Sequence, residues 1–255
     1  MPTLADIWHD WQIMRALNVC LLVLAAVPAL AADAPPPGAS ADIQMSLCGT
    51  PVEVEKALKL RADGTPFQVW LFDDATLSLF NKGLRIRLRE TRLGGDLTVK
   101  AAGQDCSKPT GLPRAEAKCE YDVHDGKLGG SLSLTRGIDM RTTRSLIGGK
   151  PLADELSPVQ QRFLLALPGA WPLPQATRAL GPATVRSYRS GDKRYVVDVS
   201  ELPGGERFIE ISRKVAVADV TRLQAQLKAD LARAGVAVCA DQSAQAANKL
   251  RALLR

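Results

Sequence analysis

The chain has 255 residues, enough for one substantial domain, and 33 lysines and arginines against 27 acidic residues give it a formal charge of +6. A basic balance of this size suits an anionic partner. Aromatic residues make up only 5% of the chain, too few for the stacking groove of a single-strand nucleic-acid binder. We therefore predict no nucleic-acid partner.

The first 31 residues read as a signal peptide. A mostly apolar run over residues 16–30 leads into Ala29-Leu30-Ala31, a small-x-small pattern typical of cleavage sites. Because the run is shorter than the roughly 20 residues of a spanning helix, cleavage is favoured over a membrane anchor. We predict an exported protein, periplasmic or secreted, with no membrane span after cleavage. Met1 and Met14 are alternative starts of translation. Residues 32–46, with Pro35-Pro36-Pro37, are predicted to form a flexible leader.

Four cysteines remain after the signal peptide, an even number that predicts two disulfides in an exported chain. Three connectivities are open, and we favour Cys106–Cys119 as a local loop with Cys48–Cys239 joining the ends of the domain. A zinc site is disfavoured because no cysteine pair has CxxC spacing and one histidine remains.

Eight short runs are predicted to be strands because apolar and polar side chains alternate along them. In residues 84–89, for example, three arginines alternate with three aliphatic residues. The runs are residues 51–60, 67–72, 84–90, 96–100, 115–123, 184–189, 194–200 and 207–214. Helical spacing predicts helices over residues 159–167, after Ser157 as N-cap, over 217–234 and over about 244–254.

The polar faces of these strands mix carboxylates with basic side chains, which leaves two arrangements open. If the apolar faces point inward, the product is an ordinary barrel or sandwich with a charged surface. If they point outward beneath the helices, the charges line a tunnel. The amphipathic helices need an apolar surface to cover, which favours the tunnel.

Three stretches carry a resemblance to a known family: Glu53-Val54-Glu55, residues 72–87 followed by Asp96-Leu97-Thr98-Val99-Lys100, and Lys118-Cys119-Glu120-Tyr121-Asp122. They resemble the Glu-x-Glu-x-Lys signature, the second and third blocks, and the Arg-x-Glu-x-Glu block of the CYTH superfamily, the triphosphate tunnel metalloenzymes. The resemblance implies an α+β domain over residues 47–255. It would be an eight-stranded antiparallel β-barrel forming a charged tunnel, with flanking helices and a helical insertion at about residues 125–182.

In that family, basic side chains hold phosphates and glutamates hold divalent cations, so the resemblance implies two sets of residues. The implied phosphate-binding residues are Lys59, Arg85, Arg87, Lys100, Lys118 and Arg186. The implied ligands for Mg²⁺ or Mn²⁺ are Glu53, Glu55, Glu120 and Glu210. Ala57 stands at the family's lysine position, and Glu210 lacks the other glutamates that the family usually carries on this strand. The family's metal-binding residues are therefore less complete than its phosphate-binding residues. No catalytic residue is assigned.

Three functions follow as alternatives. The first is binding of a triphosphate or polyphosphate-type anion in the tunnel, with metal-dependent triphosphate hydrolysis as a further step. The second is a non-catalytic periplasmic barrel that binds another polyanion or an acidic protein. The third is a purely structural barrel. A divalent cation should bind tightly only if the protein hydrolyses its ligand, and nothing in the sequence predicts an oligomeric state.

Overall fold

A computed structural model describes residues 39–106, 117–124 and 127–254, which belong to one structural unit. The strands are β1 Ser40–Cys48, β2 Arg61–Ala62, β3 Phe67–Asp73, β4 Leu84–Thr91, β5 Gly94–Ala102, β6 Ala117–His124, β7 Lys127–Asp139, β8 Arg178–Arg189, β9 Val196–Glu201, β10 Arg207–Ala216 and β11 Ala237–Val238. The helices are α1 Pro51–Leu58, α2 Ser78–Asn81, α3 Met140–Ile147, α4 Pro158–Ala166, α5 Val220–Arg233 and α6 Gln242–Leu253.

Nine of the strands close into a barrel in the order β10-β9-β8-β3-β4-β5-β7-β6-β1, and β1 pairs back onto β10. The β1–β6 pair is parallel and the other pairs around the wall are antiparallel. The predicted α+β barrel is therefore confirmed, whereas eight antiparallel strands is wrong in both count and direction. Short β2 pairs with β8, and short β11 pairs with β1.

Helices cover the outer wall of the barrel on two sides. On one side, Leu84, Ile86 and Leu88 of β4 pack in one buried cluster with Leu146 of α3 and Leu164 of α4. Burying one such leucine contributes about 1.5–3 kcal/mol. Since the apolar face of β4 points outward beneath these helices, its polar face must point into the barrel.

The opposite side of the wall is built in the same way. Ile43 of β1 and Ile211 of β10 are fully buried with Leu227 and Leu231 of α5. The apolar faces of β1 and β10 therefore also point outward, and the polar residues between them point inward. This is the tunnel arrangement rather than the ordinary apolar-cored barrel.

The predicted strand at residues 51–60 is wrong, because this segment is helix α1. Thr50 accepts a hydrogen bond from the backbone of Glu53, and the Glu53 side chain accepts one from the backbone of Thr50. This reciprocal capping box, followed by Pro51 at the first helical position, starts a helix. Val54 and Leu58 lie one turn apart, so the apolar spacing fits a helix as well as a strand.

Two other boundaries need correction. The flexible leader predicted over residues 32–46 is wrong from Ser40 onward, where β1 begins, and its first seven residues lie outside the described residues, as does the predicted signal peptide. The insertion at about 125–182 is not wholly helical, because β7 and the start of β8 lie in it. The other seven predicted strands correspond to strands of the barrel wall.

The three predicted helices are confirmed as α4, α5 and α6, with Ser157 capping α4. Both favoured disulfides are present, Cys48–Cys239 and Cys106–Cys119. Among the described residues, no helix is long and apolar enough to cross a membrane.

Candidate functional site: the interior of the barrel

A ladder of three arginines runs along the inward face of β4. Arg85 lies opposite Lys100 of β5, Arg87 opposite Thr98, and Arg89 opposite Asp96. Among the described residues, no carboxylate oxygen comes within 4 Å of any of these three guanidiniums, so none of them forms an ion pair there. We call Arg85, Arg87 and Arg89 the arginine ladder.

The middle arginine of the ladder faces the far wall of the barrel. Burial lowers the pKa of Arg87, neighbouring Arg89 lowers it further, and Asp96, Asp198 and Glu210 oppose the shift. Asp198 lies on β9 and Glu210 on β10, which are separated from β4 around the wall by β3 and β8. An electrostatic interaction between these strands must cross the interior, so the side chains meet in one shared space.

Arg85 is held at its end of the ladder by a structured turn. Its guanidinium donates to the backbone oxygens of Phe80 and Leu84 and lies 3.6 Å from the centre of the Phe80 ring. Burial lowers the pKa of Arg85 to about 10, and the charge of Asp73 opposes the shift. The Asp73 carboxylate also accepts hydrogen bonds from the backbone of Leu79 and Phe80 in α2. Asp73 therefore positions the ring on which Arg85 stacks.

The lysines of the interior, unlike the arginines, are paired with carboxylates. Lys100 lies 2.7 Å from Asp122, whose side chain is 9% exposed. Glu120 lies 2.7 Å from Lys118 and 3.3 Å from Lys214. Burial raises the pKa of Glu120, but hydrogen bonds and charge from the two lysines outweigh it and the pKa is lowered. These lysines neutralise wall carboxylates, so they contribute less free positive charge than the ladder does.

β1 supplies interior residues that the sequence analysis assigned to the leader. Asp42, Gln44 and Ser46 alternate with buried Ala41, Ile43, Met45 and Leu47. Asp42 lies directly opposite Asp122 on neighbouring strand β6 and opposite Lys214 on neighbouring strand β10. Burial raises the pKa of Asp42, and the charges of Asp122 and Glu120 add to this effect. The strict alternation along residues 41–47 was the signal that could have identified this strand.

Two carboxylates on adjacent strands, Asp198 of β9 and Glu210 of β10, face the arginine ladder, and we call them the carboxylate pair. Glu210 lies directly opposite Asp198 on one side and Ser46 on the other. The Ser187 hydroxyl donates to Asp198 at 2.6 Å. Burial raises the pKa of Glu210, although its side chain stays accessible to water. A group that is enclosed by the wall and yet hydrated is the mark of an open interior.

Helix α6 lies at the end of the barrel near α2. Its Leu250 and Leu253 are buried with Leu180 and Ala183 of β8 and Leu202 after β9. Lys249, on the same helix, donates a hydrogen bond to the hydroxyl of inward-facing Ser200 at 2.6 Å. The C-terminal helix therefore brings one more cation, Lys249, to the interior, and no motif in the sequence points to this lysine.

Four of the residues assigned to the site by sequence lie outside the tunnel. Glu53 and Glu55 are exposed on α1, where Glu53 completes the capping box, and Lys59 ends that helix in the left-handed conformation. Arg186 is exposed and lies opposite outward-facing Val199. The remaining six, which the barrel does bring together, are Arg85, Arg87, Lys100, Lys118, Glu120 and Glu210.

The donor set of the interior does not fit Mg²⁺ or Mn²⁺. No cluster of three or more His, Cys, Asp and Glu side chains suited to a metal ion occurs among the described residues. A hard divalent cation in a protein takes several oxygen ligands, chiefly carboxylates. Here Asp122 and Glu120 are engaged by lysines, Asp42 accepts a hydrogen bond from Gln44, and Ser46, the β1 residue opposite Glu210, supplies no negative charge.

The other mouth of the barrel opens beside the last arginine of the ladder. A cavity of about 810 Å³ is lined there by Phe67 of β3, Arg89 and Glu90 of β4, Arg92 in the β4–β5 turn and Asp96 of β5. The Arg89 guanidinium lies 3.9 Å from the centre of the Phe67 ring, which holds it at the rim. This mouth therefore combines two arginines with two carboxylates.

Comparisons with known proteins agree with this architecture. No family model and no curated protein sequence matches the chain. Among solved structures, HpAC1 from Hippeastrum, an adenylyl cyclase candidate with a dominant triphosphatase activity, is similar with a TM-score of 0.51 and 15% identity, over 82% of this chain and 94% of that one. An adenylate cyclase candidate from Vibrio parahaemolyticus has a TM-score of 0.45 and 9% identity, over 81% and 97%. PH1819 from Pyrococcus horikoshii has a TM-score of 0.45 and 12% identity, over 82% and 98%.

The chain thus shares its fold with HpAC1 at 15% sequence identity.

Proposed function

We propose that the barrel interior binds a phosphate-rich anion of the triphosphate or polyphosphate type. The observation that carries this proposal is the arginine ladder, whose three guanidiniums share one inward face with no carboxylate partner among the described residues. Like charges two residues apart on one strand repel each other, and the enclosing wall adds a desolvation cost at Arg87, although its side chain stays accessible to water. A bound polyanion would offset both the repulsion and the desolvation cost, because each guanidinium can donate two parallel hydrogen bonds to a phosphate group.

The ligand is proposed to be bound rather than hydrolysed. Hydrolysis of a triphosphate in such a site needs a divalent cation to neutralise the charge that develops on the phosphoryl oxygens. The described carboxylates do not form a set that would hold one. The basic side of the site is therefore better supported than the metal side.

We also infer that the protein works outside the cytoplasm. Two disulfides within a chain of this size are typical of an oxidising compartment. The predicted signal peptide at residues 1–31 points the same way, and it lies outside the described residues.

The binding proposal is tested by titrating inorganic tripolyphosphate into the protein in a calorimeter, with chelator present. Arg87→Ala is compared with Arg186→Ala, which removes the same charge from the outer face of the same barrel. A charge-assisted hydrogen bond contributes about 1.5–3 kcal/mol, so Arg87→Ala should weaken binding by about tenfold or more. Arg186→Ala should leave the affinity close to wild type. Equal losses in the two variants, or no binding by the wild type, would contradict the proposal.

Phosphate release from tripolyphosphate with Mg²⁺, with Mn²⁺ and with chelator distinguishes binding from hydrolysis. We expect no release that depends on metal. Release that needs Mn²⁺ and disappears in Glu210→Gln would establish the enzymatic alternative instead.

A further inference from the structure

Lys249 is an interior cation that lies on a helix and not on a strand of the barrel wall. It lies on α6, whose start is fixed to β1 through the Cys48–Cys239 disulfide, the β11 pairing and Gln242, which donates to the Ser46 carbonyl at 3.1 Å. Leu250, the next residue, is buried in the cluster at this end of the barrel. The position of the Lys249 ammonium is therefore set by the fold.

The ammonium lies over the face of β9 that carries Asp198 of the carboxylate pair, and among the described residues no carboxylate oxygen comes within 4 Å of it. Its hydrogen-bond acceptor, Ser200, lies two residues beyond Asp198 on the same face of β9. Asp198 in turn lies directly opposite Glu210. Lys249 interacts electrostatically with both carboxylates, which favour its charged form, while burial lowers its pKa.

The charge count at this place explains why a cation is needed. Two carboxylates side by side on adjacent strands repel each other, and each raises the other's cost of ionisation. Burial raises the pKa of Glu210, Asp198 and Asp42 add to this, and Lys249 and Lys100 oppose it, Lys249 more strongly. A bound divalent cation or a fixed ammonium could each supply positive charge beside the pair, and the chain supplies the ammonium.

We propose that Lys249 is a resident cation that supplies, beside Glu210 and Asp198, the positive charge that a divalent metal would bring, so that the tunnel holds its anion without Mg²⁺ or Mn²⁺. Glu210 and Asp198 then attract Lys249 from beyond ion-pair distance, and the arginine ladder holds the anion across the interior. The second part rests on the proposed anion binding, whereas the effect of Lys249 on the carboxylate pair does not. The two parts can therefore fail separately.

The first test uses Mn²⁺ alone as probe, read by electron paramagnetic resonance of the free ion. Wild type should bind no Mn²⁺ at the carboxylate pair. Lys249→Met keeps an unbranched side chain that is one atom shorter and removes its charge. It should gain Mn²⁺ affinity by about tenfold or more, since removing one charge close to the site at an effective dielectric constant near 20 is worth at least that. The gain should disappear in Glu210→Gln/Lys249→Met. Lys228→Met, at an exposed position of α5, is the matched control and should gain nothing.

Lys249→Arg keeps the charge and should also gain nothing. If Lys249→Met does not fold, judged by circular dichroism, wild type and Glu210→Gln decide the question: Mn²⁺ binding by wild type that is lost in Glu210→Gln would overturn the proposal. A folded Lys249→Met that binds no more Mn²⁺ than wild type would also overturn it.

The second test compares tripolyphosphate affinity of wild type in chelator and in excess Mg²⁺, after correction for the complex of Mg²⁺ with the free anion. The proposal expects the two affinities to agree within about twofold, well under the tenfold of one lost contact. A tenfold or larger gain with Mg²⁺ would overturn metal independence. If tripolyphosphate does not bind at all, the function proposed above fails, whereas the Mn²⁺ result still decides the role of Lys249.

Discussion

Removing the Cys48–Cys239 disulfide should destabilise the protein more than removing Cys106–Cys119. The first links residues 191 positions apart, and the second links residues 13 apart. Loop-closure entropy assigns about 5 kcal/mol to the long loop and about 3 kcal/mol to the short one. We therefore expect Cys48→Ser/Cys239→Ser to lose about 2 kcal/mol more in free energy of unfolding than Cys106→Ser/Cys119→Ser.

Urea denaturation followed by circular dichroism and by tryptophan fluorescence measures both losses under the same conditions. The two probes should give coincident transitions, which the comparison requires. Equal losses, or a larger loss for the short loop, would refute the entropic reasoning. It would mean that the long loop is already ordered in the unfolded chain, or that the short bridge supports native contacts of its own.

The same variant should loosen α6 before the barrel unfolds. Without the bridge, the segment before α6 is held by two-residue β11 and by the contacts of Gln242 with Ser46. Hydrogen exchange of the α6 amides should become faster in Cys48→Ser/Cys239→Ser, while exchange in β4 and β5 changes little. Unchanged protection of α6 would show that the buried leucines alone hold the helix.

Three further predictions concern single side chains. Thr50→Ala should cost about 1 kcal/mol of stability and leave tripolyphosphate affinity unchanged, because Thr50 and Glu53 cap α1; a loss of affinity in calorimetry would contradict this role. Gln160→Leu should cost about 1–3 kcal/mol in urea denaturation, because the buried amide donates to two strand carbonyls, at Leu97 and Leu134. Hydrogen bonds from Ser78 and Thr76 lower the pKa of Asp74 to about 2. The stability they contribute is present above pH 3.8 and lost as the pH falls toward 2. Asp74→Asn should therefore lower the melting temperature at pH 7 and flatten its acid dependence.

The parts of the fold that the sequence predicted are those with local, repeated patterns. Residues 84–89 alternate strictly and are flanked by turns, so strand β4 and its inward arginines were identified correctly. Ser157 and Pro158 start α4 where the capping pattern places it. The alternation does not report which face is inward, and that was decided only by the helices that cover the wall.

The errors have physical reasons. Residues 51–60 combine strand alternation with helical spacing, and the capping pair Thr50 and Glu53 decides for the helix. Because the motif Glu53-Val54-Glu55 was taken as the first barrel strand, the true first strand at residues 40–48 was assigned to the leader. Lys249 was missed because the path of the whole chain brings it to the interior, and no local pattern reports an electrostatic interaction between residues on β10 and α6.

The arrangement of charge on β1, β10 and β9 leads to one more prediction. Ser46, Glu210 and Asp198 lie side by side on three adjacent strands. If a divalent cation does not bind because a third carboxylate is missing and the Lys249 ammonium is present, then adding the carboxylate and removing the ammonium should build a metal site. Ser46→Glu/Lys249→Met should therefore bind Mn²⁺ about tenfold or more tightly than Lys249→Met alone, since a third oxygen ligand completes the cluster. Ser133→Glu/Lys249→Met, which adds the same charge on the inward face of β7 opposite Lys100 and Lys118, is the control. An equal gain in the two double variants would show that only net charge matters and that the row of three strands is not a metal geometry.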